Sequence, residues 1–124
     1  KLKKIQLGNK RHSFNIGDKG DTDIASGAIK YLHDRKIAHR DLKPANIFIS
    51  NVFNIVIQNH AFKIGDFGCS IYSEPKDFVG TLDYVAPEIM LHDSHGTPVD
   101  MWAIGCIAFE LYIGYPPFYH PKRK

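Results

Sequence analysis

With 124 residues, 44% of them hydrophobic, the chain has the length of one domain around one core, which excludes a second independent core and a disordered tract of this size. The net charge of +3 comes mainly from the two ends, "KLKK…NKR" and "KRK"; no zinc-ligand spacing or RNA-binding aromatic motif stands beside them, so solvated termini are expected, with no nucleic acid partner. Two widely separated cysteines, Cys69 and Cys106, no N-glycosylation sequon and no signal-peptide core exclude a secreted disulfide framework, so free thiols and an intracellular, cytoplasmic or nuclear, location are expected.

Residues 8–21, "GNKRHSFNIGDKGD", are rich in Gly, Asn and charge and read as loop, so residues 1–21 are expected to be a basic, loop-like lead-in to a domain over 22–124. A helix follows, capped by Thr22 or Asp21, with Ile24, Ala28, Ile29, Tyr31 and Leu32 near a helical period up to about His33 and with Lys30 and Asp34 on the exposed side. The non-helical stretch "HRDLKPANIF", 39–48, crowds an arginine, an aspartate, a lysine and an asparagine around Pro44. Ile47–Ile49 and Ala61–Ile64 read as two short strands, the second leading into "DFG" at 66–68. Paired antiparallel, they would bring Asn46 and Asp66 together across twenty positions. The connection between them, "SNVFNIVIQNH", either lengthens the hairpin or forms a local excursion. Residues 69–88 show no sustained period and read as an ordered or switchable loop, whereas "VDMWAIGCIAFELYI", 99–113, is apolar nearly all round. That run falls short of the roughly 20 residues needed to span a bilayer, so a helix buried in the domain is expected, with no membrane partner; "GYPPF" should end it.

Asn46 and Asp66 offer neutral and anionic oxygens, the donors that a hard ion such as Mg²⁺ takes alongside phosphates. Asp41, across the loop turned by Pro44, is placed to accept a hydroxyl proton, and Lys43 brings a compact positive charge into the same space. A metal and nucleotide site follows from the set, although each residue alone reads as an ordinary surface group.

The blocks "HRDLKPANIF", "KIGDFG", "GTLDYVAPE" and "VDMWAIGCIAFELYIGYPPF", in this order, resemble four consecutive signature blocks of the eukaryotic protein kinases, over about residues 22–118. The resemblance implies an α+β, protein-kinase-like fold: a mostly helical C-terminal lobe with a short β-hairpin at the active site. It also implies ATP and Mg²⁺ as cofactors and the Ser or Thr hydroxyls of proteins as substrates. By position, Asp41 resembles the catalytic base, Lys43 the lysine that steadies the transferred phosphoryl group, Asn46 and Asp66 the Mg²⁺ ligands, and Phe48 the residue under the adenine ring. His39 and Phe67 resemble members of a hydrophobic column across the site, with Gly68 completing the DFG motif, and Asp100 resembles the residue that anchors the HRD backbone. Ile107 and Leu111, one turn apart, would support the adenine floor. Lys43 and Thr81, the latter counted with the catalytic set, are similar to the serine/threonine branch. "GTLDY" resembles the Aurora kinases and "GYPPF" the cyclic-nucleotide-dependent group, and this leaves the subfamily open. Ala45 stands where many basophilic members carry an acid, leaving Glu110 as the remaining candidate for a contact to substrate arginine. In related groups Arg40 would hold a phosphorylated residue three positions before the Gly-Thr pair; here that position is Asp77, a permanent carboxylate expected to accept a bidentate contact.

The glycine-rich loop, the strand lysine and the helix glutamate of the family have no match in the sequence, so an absent N-terminal lobe and an incomplete, inactive catalytic domain are expected, completed by that lobe or by an activating partner. Glu88 has no identifiable arginine partner. A catalytically inactive fragment or pseudokinase acting as a binding module is the rival within the family. Outside it, the basic ends and "HDSH", where His92 and His95 could share a metal, support only weakly a metal- or nucleic-acid-binding protein.

Overall fold

The computed structural model describes residues 2–4, 19–50 and 61–121. The long connection at 51–60 and most of the lead-in, residues 5–18, lie outside the described residues. Strand β1 (Leu2–Lys4) pairs antiparallel with β2 (Ile47–Ser50), which pairs antiparallel with β3 (Ala61–Ile64), giving a sheet of order β1-β2-β3. The expected hairpin is present with Ile47 opposite Ile64, and the Gly65 N–H donates to the Asn46 carbonyl at 2.9 Å, extending the ladder by one bond. The lead-in differs from its reading as loop, because residues 2–4 form a strand. "LKK" has no strand pattern of its own, and the open edge of β2 supplies the hydrogen-bond partners.

Helix α1 runs over Lys19–Asp34, three residues ahead of the Thr22 start. The first turn of a helix lacks intrahelical acceptors for its N–H groups, so sequence determines that boundary least. Ile29 and Leu32 are buried as the period predicts, but Tyr31 is exposed, with the Arg35 guanidinium 3.6 Å above its ring. Lys30 and Asp34 form an exposed ion pair one turn apart at 2.6 Å.

A 3₁₀ turn over Pro44–Asn46 leads into β2, with proline at the start, where a missing N–H costs nothing. Helix α2 (Pro87–Met90) is a single turn inside the segment that reads as loop, and α3 (Pro98–Ile113) is the long apolar helix. Gly114 ends α3, ahead of the prolines, by adopting φ 102° and donating its N–H to the Glu110 carbonyl at 2.7 Å.

The core joins Ile29 of α1, Leu42 of the catalytic-loop stretch and Ala103 and Ile107 of α3, with Ile47, Ile64 and Leu111 packed against them. A second cluster, Val85, Ala86, Ile89 and Val99, seats α2 on the start of α3. Burial of α3 on every side does not hold among the described residues: Met101, Trp102, Phe109 and Tyr112 are exposed, and the Trp102 ring stacks on Phe118 at 5.4 Å. One stripe of an apolar helix suffices for this core, so composition alone overstates the buried surface.

Candidate active site

Asp100, in the first turn of α3, is 1% exposed and organises the loop that precedes β2. Its Oδ1 accepts the Arg40 N–H at 2.9 Å, and its Oδ2 accepts the His39 N–H and His33 Nε2–H, both at 2.8 Å. A carboxylate at a helix N-terminus is favoured by the helix dipole, and here it also satisfies two buried backbone donors of a loop that has no ladder of its own. The His39 ring is fully buried. Its Nε2 lies 3.0 Å from the Gly65 carbonyl, which can only accept, so Nε2 carries the hydrogen and Nδ1 accepts the Asp41 N–H at 3.3 Å. The catalytic-loop stretch is thereby tied to α3 on one side and to the end of β3 on the other.

The same frame gathers three side chains. Lys43 Nζ donates to Asp41 Oδ2 at 2.9 Å and to Thr81 Oγ1 at 2.8 Å, while the Thr81 hydroxyl donates to Asp41 Oδ1 at 2.7 Å. Asn46 is buried, and its Nδ2 donates to the Asp41 carbonyl at 2.8 Å and lies 3.3 Å from Asp41 Oδ2. Neither bond uses the Asn46 carbonyl oxygen, so the amide presents an oxygen donor away from Asp41. Thr81 reaches Asp41 because Gly80 lets the chain pass close: its φ is 99°, and a Cβ there would lie 2.6 Å from the Arg40 carbonyl oxygen. Gly80→Ala is therefore expected to lower the urea unfolding free energy by about 1–3 kcal/mol and to loosen the Thr81–Asp41 contact. Native stability in that variant would contradict the close approach.

Asp66 follows Gly65 in a left-handed conformation, φ 57°, with its exposed carboxylate near the Gly68 N–H at 3.4 Å. The hairpin register, carried one step past Ile47 and Ile64, sets Asn46 opposite Gly65, with Asp66 the next residue along. Phe67 makes an edge contact with His39 at 5.0 Å and remains 48% exposed, so only one side of the expected column is packed among the described residues. For Glu88, no side-chain partner occurs among the described residues; its carbonyl accepts the Asp93 N–H at 2.9 Å.

The Arg40 guanidinium is buried and shared by three acceptors. Nε donates to the Cys69 carbonyl at 2.6 Å, and Nη1 donates to Asp77 Oδ1 at 2.7 Å and faces His95 Nε2 at 3.2 Å. The contact with Asp77 uses one oxygen, which accepts from Nη1, rather than the expected two. The guanidinium still holds the half-exposed Asp77 carboxyl below the usual carboxylate range, so the pair survives through neutral pH and is lost only as acid protonates Asp77.

His33, Tyr84 and His95 join this network without having been singled out for these contacts by sequence. The Tyr84 hydroxyl donates to the buried Glu110 carboxylate at 2.5 Å, and burial followed by this bond pushes its pKa upward. One oxygen of Glu110 is thus engaged inside the molecule. His92 and His95 do not converge on a common ion: the His92 ring contacts the Lys76 carbonyl, and the His95 ring contacts a guanidinium. Among the described residues no helix is long and apolar enough to cross a membrane.

Comparison with known proteins agrees with this arrangement. The family model described as "Protein kinase domain" matches residues 22–124. The chain is 42% identical over 95 residues, 73% of its length, to serine/threonine-protein kinase polo of Drosophila melanogaster, covering 15% of that relative. It is 41% identical over 104 residues, 79% of its length, to calcium/calmodulin-dependent protein kinase type I of Schizosaccharomyces pombe, covering 30% of that protein. Against the cAMP-dependent protein kinase catalytic subunit of Dictyostelium discoideum the figures are 46% over 94 residues, 74% of the chain and 13% of the relative. The chain thus spans less than a third of each of these three proteins, and comparable identity to three different groups leaves its subgroup undivided. The chain belongs to the protein kinase domain family, in its serine/threonine branch.

Proposed function

We propose that this chain supplies the catalytic loop, metal-binding motif and activation segment, in the C-terminal lobe, of a protein kinase that transfers the γ-phosphoryl group of ATP to Ser and Thr hydroxyls of proteins. The observation that carries this reading is the closed set of contacts among Asp41, Lys43 and Thr81. Asp41 orients an incoming hydroxyl and takes its proton; Lys43, bonded to Asp41, offers its positive charge to the transferring group. Thr81 ties the activation segment to both. Asn46 and Asp66 are a fitting donor pair for Mg²⁺, because the bonds to Asp41 are made by the Asn46 amide nitrogen and not by its oxygen, and Asp66, one residue past Gly65, is exposed. When bound, Mg²⁺ neutralises phosphate charge that builds up during transfer. Phe48, on the strand leaving Asn46, is the candidate for contact with the adenine ring.

The sequence contains no closely spaced glycine-rich motif to cover phosphates, so the N-terminal lobe or an activating partner is proposed to complete the nucleotide site, and the 124 residues alone to transfer phosphate poorly. Two free cysteines support an intracellular setting. The test is incubation of the longest natural form carrying this segment with labelled ATP, Mg²⁺ and a mixed protein substrate, followed by phosphoamino-acid analysis. Phosphoserine and phosphothreonine are expected; label on tyrosine alone, or none, would refute the reading.

Asp77 is proposed to stand in for an activation-segment phosphate, supported by its contact with Arg40. The complete kinase should then be active without phosphorylation of that segment. Asp77→Ala should lower activity by about three- to tenfold, and adding Arg40→Ala should cost little more. Full activity in Asp77→Ala would end this assignment.

A further inference from the structure

The turn 92–95, His-Asp-Ser-His, bridges parts of the fold that chain order keeps apart. It is fixed to the end of α2 by the His92 N–H on the Ile89 carbonyl at 3.2 Å and the Asp93 N–H on the Glu88 carbonyl at 2.9 Å. From that base it reaches the activation segment. The His95 N–H donates to the Pro75 carbonyl at 3.2 Å, His92 Nδ1 donates to the Lys76 carbonyl at 3.3 Å, and Ser94 Oγ lies 3.4 Å from the Glu74 carbonyl. The Phe78 ring lies 6.2 Å from that of His92. Residues 74–78 are therefore held on one side by this turn and on the other by Arg40 through Asp77.

His95 is the buried member, at 4% exposure, and its partners dictate its chemical form. Nδ1 is 3.0 Å from the Asp93 carbonyl, which only accepts, so Nδ1 carries the hydrogen. Nε2 faces Arg40 Nη1, which only donates, so Nε2 is a lone pair. The ring in this arrangement is neutral, and it gives Arg40 an acceptor on the side away from Cys69. Arg40 needs such fixing, because its backbone sits at φ 67° and its guanidinium must meet Asp77 at the end of a long side chain.

We propose that the 92–95 turn is a clasp for the activation segment and that His95, as its Nδ1–H tautomer, is a positioning residue that aims the Arg40 guanidinium at Asp77. The inference rests on the reading of Arg40 and Asp77 as the latch of that segment. A histidine that only fills space would be replaced equally well by phenylalanine. One that acts as an acceptor would be replaced better by glutamine, whose amide oxygen can reach the same donor.

The test uses the full chain, labelled with ¹⁵N. Long-range ring correlations are expected to show His95 with Nδ1 protonated and Nε2 bare. In hydrogen exchange, His95→Phe is expected to speed the amide at position 95, which donates to the Pro75 carbonyl, about tenfold while leaving those of α1 and α3 unchanged, and His95→Gln to stay within about twofold of the native chain. An Nε2–H tautomer, a cationic ring, or native exchange of the amide at position 95 in the phenylalanine variant would overturn the proposal. If His95→Phe does not fold, the tautomer in the native chain decides. Neither readout measures phosphoryl transfer, so a clasp that behaves as expected here, together with a longest natural form that labels neither serine nor threonine, sinks the kinase reading and leaves the clasp standing.

Discussion

Asp41→Asn is expected to lower the turnover of the complete kinase by about 10²- to 10⁴-fold while leaving the KM for ATP nearly unchanged. An amide is not a base at neutral pH, and its NH₂ cannot accept in place of either carboxylate oxygen, Oδ2 from Lys43 Nζ or Oδ1 from the Thr81 hydroxyl. The nucleotide does not depend on this carboxylate if Asn46 and Asp66 hold the metal. Asp66→Ala should accordingly behave differently, raising the Mg²⁺ and ATP concentrations needed for half-maximal rate as well as slowing transfer. Initial rates measured across ATP and Mg²⁺ concentrations separate the two. Equal loss of nucleotide affinity in both variants would contradict the division of roles.

Asp100→Ala is expected to destabilise the chain by about 3–5 kcal/mol, read as a fall in unfolding free energy in urea. Asp100 serves two buried backbone donors, the N–H groups of His39 and Arg40, along with the ring of His33. An alanine leaves the two backbone donors buried without this partner and the partly exposed ring of His33 without its acceptor. Because the loop that loses its anchor carries Asp41, activity should fall even where the protein stays folded. Asp100→Asn retains one acceptor oxygen but places an NH₂ against donors, so an intermediate loss is expected. His33→Ala should cost less, about 1–2 kcal/mol, since it removes a partly exposed donor and leaves the backbone bonds in place. A stability unchanged by Asp100→Ala would show that the loop is held by its packing alone.

Much of the candidate site was legible because it is local. Asp41, Lys43 and Asn46 lie within six positions, and a strand of Ile47 and Phe48 directly after them limits where Asn46 can face. The pairing of β2 with β3 also followed from pattern, as did the proximity of Asn46 to the DFG segment. Tyr31 lies on the apolar period yet stays exposed: a helical period marks an apolar face, but it cannot say that Arg35 will cover a ring left in solvent. The end of α3 was placed at the prolines because their block on helix continuation is plain in sequence. The left-handed turn at Gly114 acts two residues sooner.

By itself the sequence determined α1, α3, the hairpin, the acid, base and amide donors of one loop, and the family, since all of these rest on residue type at short spacing. Only the tertiary structure decided which distant groups complete that loop. Asp100 reaches His39 and Arg40 across about sixty residues, Thr81 reaches Asp41 across forty, and His95 reaches Arg40 across fifty-five. The physical reason is that a loop without a backbone ladder must find partners for its buried N–H groups and charges elsewhere in the chain, and the packing of α3 and α2 sets which side chains arrive.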